Sequence, residues 1–284
     1  MTSHSRGALL WFGRIALIMA TSAGWTAHAT SFSLSGDWSN SNNPNGPWSY
    51  NQGSAPLPPV SVWDGGGSAL QGCSQPAWAP SNTPGNFLPA MMQANACSAG
   101  AFSTASGIPG NVKPGDIVTH TVDGFNGKPA AGVAKFLFTL PKGDDGTYEI
   151  SGFVWDANTF FGTTRPQDWK LLVNGVSEAS GVLSGTISRS QAATFDIVNA
   201  LNAGETVELE LYQDPNAAAG FFVGANMSIL STSGPTTPEP STFGVLALGL
   251  LLCVVALRQS APLQDSGSAG RKDAPSVEHA GERF

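Results

Sequence analysis

Short segments in which every second residue is apolar recur through the second half of the chain. Their apolar residues fall on one side of an extended backbone, because successive side chains of a strand point to opposite faces. The residues on the apolar sides are Ala134, Phe136, Phe138 and Leu140; Tyr148, Ile150, Gly152 and Val154; Val207, Leu209 and Leu211; and Val223, Ala225, Met227 and Ile229. Each segment predicts a half-buried strand, and Ala193 to Val198 predicts another.

Turn sequences separate these strands. Residues 141–146 have the composition of a turn, and Asn174-Gly175 between two apolar segments is typical of a type I′ hairpin. Glycine and proline are abundant, and long helical patterns are absent. The spacing therefore predicts an all-β fold, a sandwich of two sheets. The first half, residues 31–115, is rich in Pro, Gly, Asn and Trp and shows only weak periodicity.

Both ends of the chain carry export signals. Arg6 and Arg14 precede an apolar segment, and Ala27-His28-Ala29 supplies small residues where signal peptidase cuts. We therefore expect residues 1–29 to be a cleavable signal helix and residues 30–233 to form one exported domain. Between residues 30 and 240 sixteen acidic and seven basic residues give a net charge of −9. This charge argues against nucleic acid or anionic lipid as a partner.

A long uncharged segment lies near the C-terminus. Residues 241–257 carry no charge and rise about 25 Å as a helix, which predicts a transmembrane helix. A buried core helix is the alternative, but such a helix normally shows a polar stripe, and this segment has none. A linker, 234–240, precedes it. A polar tail, 258–284, follows and is expected to be disordered on the cytoplasmic side.

The linker ends in Pro238-Glu239-Pro240, directly before the apolar segment. This arrangement resembles the PEP-CTERM sorting signal of exported bacterial proteins. The resemblance implies that the triplet is a recognition element for an exosortase-type sorting enzyme. It also implies that the chain crosses the inner membrane, is held there transiently, and is then released to the cell surface or the extracellular space. In place of the arginine cluster of that family, this chain has only Arg258 and continues to Phe284.

Several turn and strand sequences resemble a second feature of such proteins. They are residues 43–50 (NPNGPWSY), 113–120 (KPGDIVTH), 146–152 (GTYEISG), 173–175 (VNG) and 203–207 (AGETV). The series is similar to exported PEP-CTERM proteins with a jelly-roll domain like that of carbohydrate-binding modules. The resemblance implies a jelly-roll sandwich that binds extracellular polysaccharide.

Cysteine usage fits export. Cys73 and Cys97 lie in a loop-rich region, whereas Cys253 lies within the apolar C-terminal segment. We predict a disulfide between Cys73 and Cys97, with two free thiols as the alternative. No Cys-x-x-Cys pattern points to metal or redox chemistry.

Candidates for catalysis are few. His120 is the only histidine of the exported part, and no Gly-x-Ser-x-Gly sequence accompanies it. Glu208 and Glu210 share a strand face opposite the apolar residues. They either keep the outer surface of the sheet hydrated or act as the two catalytic carboxyl groups of a glycosidase. Asp144-Asp145 either serves a turn or supplies calcium ligands. We therefore predict no catalytic residue, no metal and no cofactor.

Aromatic residues give the most specific binding hypothesis, because indole and phenyl rings stack on the apolar faces of sugars. Phe153 and Trp155 lie opposite the apolar side of their strand and are expected to project outward. Asp156 and Asn158 follow and offer hydrogen bonds to hydroxyl groups. These four residues are the candidate ligand-binding residues.

Two alternatives remain open for the aromatic residues. The segment from Ala157 to Gln167, which contains Phe160 and Phe161, would bury the rings of Phe153 and Trp155 if it folded over them. The aromatic residues of the first half are candidates for a second platform, and their turn-rich region has no periodicity that assigns them to one face of a sheet: Trp38, Trp48, Tyr50 and Trp63. The function favoured is a non-catalytic surface or matrix protein that binds polysaccharide. A purely structural surface protein and a glycan-active hydrolase are the alternatives.

Overall fold

Two antiparallel β-sheets pack face to face in the computed structural model, which describes residues 30–64, 70, 72–81, 89–122 and 133–232. The predicted signal peptide, the triplet Pro238, Glu239 and Pro240, the membrane helix and the tail lie outside these residues. Among the residues described, no helix is long and apolar enough to cross a membrane. All of them belong to one unit of the chain.

The larger sheet, sheet A, has eight strands. They are β1 (Ser31–Ser33), β4 (Pro59–Trp63), β5 (Gln75–Trp78), β6 (Ala90–Gln93), β7 (Ile117–His120), β9 (Gly146–Asp156), β12 (Ala193–Leu201) and β14 (Phe222–Ser231). Their order is β12-β9-β14-β7-β6-β5-β4, with β1 paired to β14.

The smaller sheet, sheet B, has six strands. They are β2 (Trp48–Gln52), β3 (Ala55–Pro56), β8 (Ala134–Thr139), β10 (Gln167–Val173), β11 (Val176–Leu183) and β13 (Thr206–Gln213). Their order is β11-β10-β13-β8-β2-β3.

The chain crosses repeatedly between the sheets from β7 onward. Sheet A contains the series β7-β14-β9-β12, and sheet B contains β8-β13-β10-β11. This interleaving is the strand arrangement of a jelly roll. The predicted β-sandwich is confirmed, as is the hairpin between β10 and β11, where Asn174 and Gly175 adopt φ of 51° and 77°.

The core between the sheets contains the residues that alternation placed on the apolar sides. Phe136, Tyr148, Leu209 and Met227 are among its buried members. The first half of the chain also contributes to it, although its periodicity was too weak for its side chains to be assigned. Trp48 and Tyr50 are fully buried there, and Trp63 is buried in a second cluster, so these three rings do not form a surface platform.

A second apolar cluster covers the outer face of sheet A around β5, β6 and β7. Its cover includes helix α1 (Ala96–Ser106), which begins where the Asn95 side chain accepts a hydrogen bond from the Ser98 amide at 2.9 Å. Phe102 of this helix is buried in the cluster. The predicted disulfide is confirmed and joins Cys97 of α1 to Cys73, with Cα atoms 5.5 Å apart.

Candidate functional site

Phe153 and Trp155 lie on the outer face of β9, opposite the core, as the alternation predicts. However, Trp155 is 0% exposed, and its indole nitrogen donates a hydrogen bond to the carbonyl of Asn111 at 2.8 Å. Phe153 is half-buried and stacks on Trp155 with ring centroids 5.4 Å apart. The indole therefore lies on the outer face as expected but has no face free to stack on a sugar, which corrects the expectation that it is open to a ligand.

Arg189 supplies much of the cover over these two rings. Its guanidinium carbon lies 5.3 Å from the Phe153 ring centre and 5.4 Å from that of Trp155. Its Nε and Nη2 donate to the two carboxylate oxygens of Asp116 at 2.9 and 3.0 Å. Trp155 is thus buried, as the alternative expected, and Phe153 is half-buried, and the distant residues Arg189 and Asn111 contact the rings.

Asp156 and Asn158 are also buried. Asp156 is 0% exposed and accepts a hydrogen bond from the Ile187 amide at 2.8 Å. Burial raises the pKa of Asp156 to about 7, and hydrogen bonds from the backbone of Ile187 and Gly185 oppose this rise. Asn158 accepts a hydrogen bond from the Phe160 amide at 2.9 Å. Asn158 thus shapes the loop that follows β9, whereas the Asp156 side chain holds the segment around Ile187.

That loop, residues 157–166, is called here the aromatic loop. Phe160 is 70% exposed and Phe161 is 41% exposed. The two rings meet edge to face with centroids 5.1 Å apart, and Phe161 meets the buried Phe221 at 5.3 Å. A line of aromatic contacts thus leads from the second cluster to the surface. One alternative left open by the sequence was that these residues cover Phe153 and Trp155, whereas the structure exposes them.

Hydrogen bonds to distant segments hold the aromatic loop. Asn111 donates to the carbonyls of Asp156 and Ala157 at 2.9 and 3.0 Å. The Thr159 hydroxyl donates to the carbonyl of Ser106 at 3.2 Å. On the other side, the Ala218 amide donates to the carbonyl of Thr164 at 3.0 Å. The exposed rings therefore stand on a fixed backbone, so that little conformational entropy is left to lose on binding.

Arg165 completes this surface. Its guanidinium carbon lies 4.0 Å from the Phe161 ring centre and 5.0 Å from that of Phe221. Its Nη1 donates to the carbonyl of Gly220 at 3.4 Å. Two apolar rings and one cation therefore share one end of the sandwich, where the β9–β10 and β13–β14 connections meet.

The paired carboxylates of β13 lie elsewhere, on the outer face of sheet B. Lys135 forms ion pairs with both Glu208 and Glu210, at 3.2 Å to Glu210. Partial burial lowers the pKa of Lys135, but the interactions with Glu208 and Glu210 together outweigh this effect, so the pKa is raised. Within the described part of the chain, no group of three or more His, Cys, Asp or Glu residues is arranged to hold a metal ion.

Comparison with known proteins gives no family. No family model matches the chain, and no curated protein matches it significantly. Among solved structures, the chain is similar to the CBM51 of Clostridium perfringens GH95 in complex with methyl-galactose, at 12% identity over 41% of this chain and 69% of that chain, with a TM-score of 0.28.

Two further solved structures resemble the chain. One is the CBM36-1 domain of a multidomain xylanase from the hindgut metagenome of Trinervitermes trinervoides, at 15% identity, 42% of this chain, 98% of that chain and a TM-score of 0.25. The other is pika GITRL, at 17% identity, 43% of this chain, 99% of that chain and a TM-score of 0.23. These TM-scores are too low to carry an argument about fold or function.

Proposed function

We propose that this protein is an exported, non-catalytic surface or matrix protein whose β-sandwich binds extracellular polysaccharide through the aromatic loop. The observation that carries the proposal is the exposure of Phe160 and Phe161 on a loop fixed by hydrogen bonds to distant segments. Large exposed aromatic side chains lose hydrophobic stabilisation in water, so two of them held side by side at the surface favour a binding role.

A sugar is a suitable ligand for this surface. Its C–H faces are apolar and pack on aromatic rings, while its hydroxyl groups need hydrogen-bond partners. The half-buried Thr159 and Arg165 lie on the same loop as the rings. The sequence predicted that sugar faces pack on Phe153 and Trp155. The proposal assigns this packing to Phe160 and Phe161 instead. Asn158 then helps to fix the loop that carries these rings.

The absence of catalysis is part of the proposal. Retaining glycosidases hold two carboxyl groups about 5 to 5.5 Å apart with room for the substrate between them. Glu208 and Glu210 are instead joined through Lys135. They also lie on a sheet face, away from the exposed rings.

Export and sorting complete the proposal. Signal peptidase would remove residues 1–29, and an exosortase-type enzyme would cut near Pro238, Glu239 and Pro240 after the 241–257 helix has held the chain in the inner membrane. The disulfide between Cys73 and Cys97 supports this route, because disulfides persist outside the reducing cytosol. Intact-mass measurement of surface-extracted protein tests it, and a mature species that retains Leu257 would exclude processing at the triplet.

Affinity electrophoresis tests glycan binding directly. The full chain and a Phe160→Ala/Phe161→Ala variant would be run through gels that contain the host's extracellular polysaccharide or neutral and acidic glycans. Val198→Ala is the control, because Val198 is 65% exposed on the outer face of sheet A. We expect retardation of wild type and control and its loss in the double variant. Wild type unretarded by any glycan would favour a purely structural surface protein.

A further inference from the structure

Two arginines of the described chain lie against pairs of aromatic rings, and their charge environments differ. Arg189, over Phe153 and Trp155, forms a two-pronged ion pair with Asp116. Arg165, over Phe161 and Phe221, has no acidic side chain within ion-pair distance among the residues that the structure describes. Asp116 thus neutralises the charge of Arg189, whereas Arg165 keeps its positive charge.

Most hydrogen-bonding capacity of Arg165 is unused. A guanidinium carries five N–H donors, and the contact to the Gly220 carbonyl at 3.4 Å uses one. The side chain is half-buried, and no other hydrogen bond of its donors is found among the residues that the structure describes. The guanidinium of Arg165 contacts the rings of Phe161 and Phe221, and these contacts restrict its orientation. Less entropy is therefore lost when a ligand group binds to the guanidinium.

We propose that the ligand of the aromatic loop is an acidic polysaccharide whose sugar carboxylate pairs with Arg165 while a sugar face packs on Phe160. This inference rests on the proposed glycan-binding function and names its substrate class. A guanidinium matches a carboxylate with two parallel N–H···O bonds, and such charge-assisted pairs are roughly twice as strong as neutral hydrogen bonds. The aromatic ring beside it supplies the apolar contact.

The net charge of the exported part opposes the approach of an acidic polymer at long range, but it affects a contact pair little at physiological salt. The −9 charge of residues 30–240 repels an acidic polymer at long range. At about 0.15 M salt, charges are screened beyond about 8 Å, whereas a contact pair is little affected. Binding should therefore be measured at that ionic strength.

The test compares two polymers with the same backbone, polygalacturonate and its highly methyl-esterified form, in affinity gels with the full chain. Esterification removes the carboxylate and leaves the sugar ring. We expect wild type to bind polygalacturonate at least about tenfold more tightly, a ratio that corresponds to about 1.4 kcal/mol. Arg165→Gln should bring the two affinities within about threefold of each other, and Arg165→Lys should retain part of the preference because it keeps the charge.

Lys142→Gln is the control, since it removes the same charge from the β8–β9 turn at the opposite end of the sandwich. A thermal melt of each variant confirms folding. Equal wild-type affinity for both polymers, or a preference that survives Arg165→Gln, would overturn the inference while leaving the proposed function intact, provided that Phe160→Ala abolishes binding. A wild type that binds neither polymer overturns the inference, and binding to no glycan of the wider panel overturns the proposed function with it.

Discussion

The indole of Trp155 lies directly over Gly224, its partner across the β9–β14 ladder. A Cβ built on Gly224 would stand 2.2 Å from the indole atoms Cε2 and Cζ2. The glycine therefore makes space for the ring on the outer face of sheet A, and Arg189 and Asn111 close over it from outside. A central strand tolerates this glycine because the indole covers the backbone that a side chain would otherwise shield.

Gly224→Ala should therefore destabilise the protein. The added methyl group must displace a fully buried ring, and overpacking of this kind costs about 3 kcal/mol. Urea unfolding followed by tryptophan fluorescence measures the change. Gly100→Ala is the control: the position is exposed on α1 with nothing within 4 Å, so alanine there should stabilise by about 0.5 to 1 kcal/mol. Equal effects of the two substitutions would contradict the packing described.

The alternation of apolar residues was sufficient to assign the faces of the later strands, because it reports which side of a strand meets a core. It placed Tyr148 and Ile150 inward and Trp155 outward correctly. It could not show what covers the outer face, since the cover comes from Asn111 and Arg189, 44 residues before Trp155 and 34 after it. Contacts of that range leave no periodic pattern in the sequence.

The exposure of Phe160 and Phe161 was not predictable for the same reason. A pair of phenylalanines in a loop is ordinarily buried, and hydrogen bonds to Ser106 and Ala218 decide its position here. Helix α1 has only a weak local signal in the sequence, namely Asn95 before and Gly107 after an alanine-rich stretch. The prediction of a sorting signal at residues 238–240 lies outside the described residues.

Asn111→Ala should both destabilise the fold and loosen the aromatic loop. The side chain donates hydrogen bonds to the carbonyls of Asp156 and Ala157 and accepts one from the amide of Arg189. Each buried group left unpaired costs about 1 to 3 kcal/mol. We expect a loss of about 3 kcal/mol in the free energy of unfolding and faster amide exchange in residues 157–166. Asn216→Ala, at an exposed asparagine, should change neither.

Reduction of the disulfide between Cys73 and Cys97 should destabilise the protein by about 3 kcal/mol. The bond closes a loop across a sequence separation of 24 residues, and opening it restores entropy to the unfolded chain. Urea unfolding with and without a reductant measures this. A Cys73→Ser/Cys97→Ser variant should have the lower stability from the start and show no response to the reductant. An undiminished response in the variant would assign the effect to another site.

Asp168 should make stability depend on pH. It lies half-buried on the outer face of β10, near Asp214. Partial burial, and then the charge and hydrogen bond of Asp214, raise the pKa of Asp168 to about 6. In the unfolded chain an aspartate has a pKa of about 4. The folded state thus holds this proton more tightly than the unfolded state.

It follows that the contribution of Asp168 is fully present below pH of about 4 and is lost as the pH rises through about 6. Asp168→Asn should match wild type near pH 4 and exceed it at pH 7 by about 1 kcal/mol, because solvent screens the half-buried Asp168 carboxyl group. Urea midpoints of the two proteins are measured from pH 4 to 8. The contributions of the carboxyl groups that both proteins carry cancel in the difference in stability. A difference that does not change with pH would contradict the raised pKa of Asp168 in the folded protein.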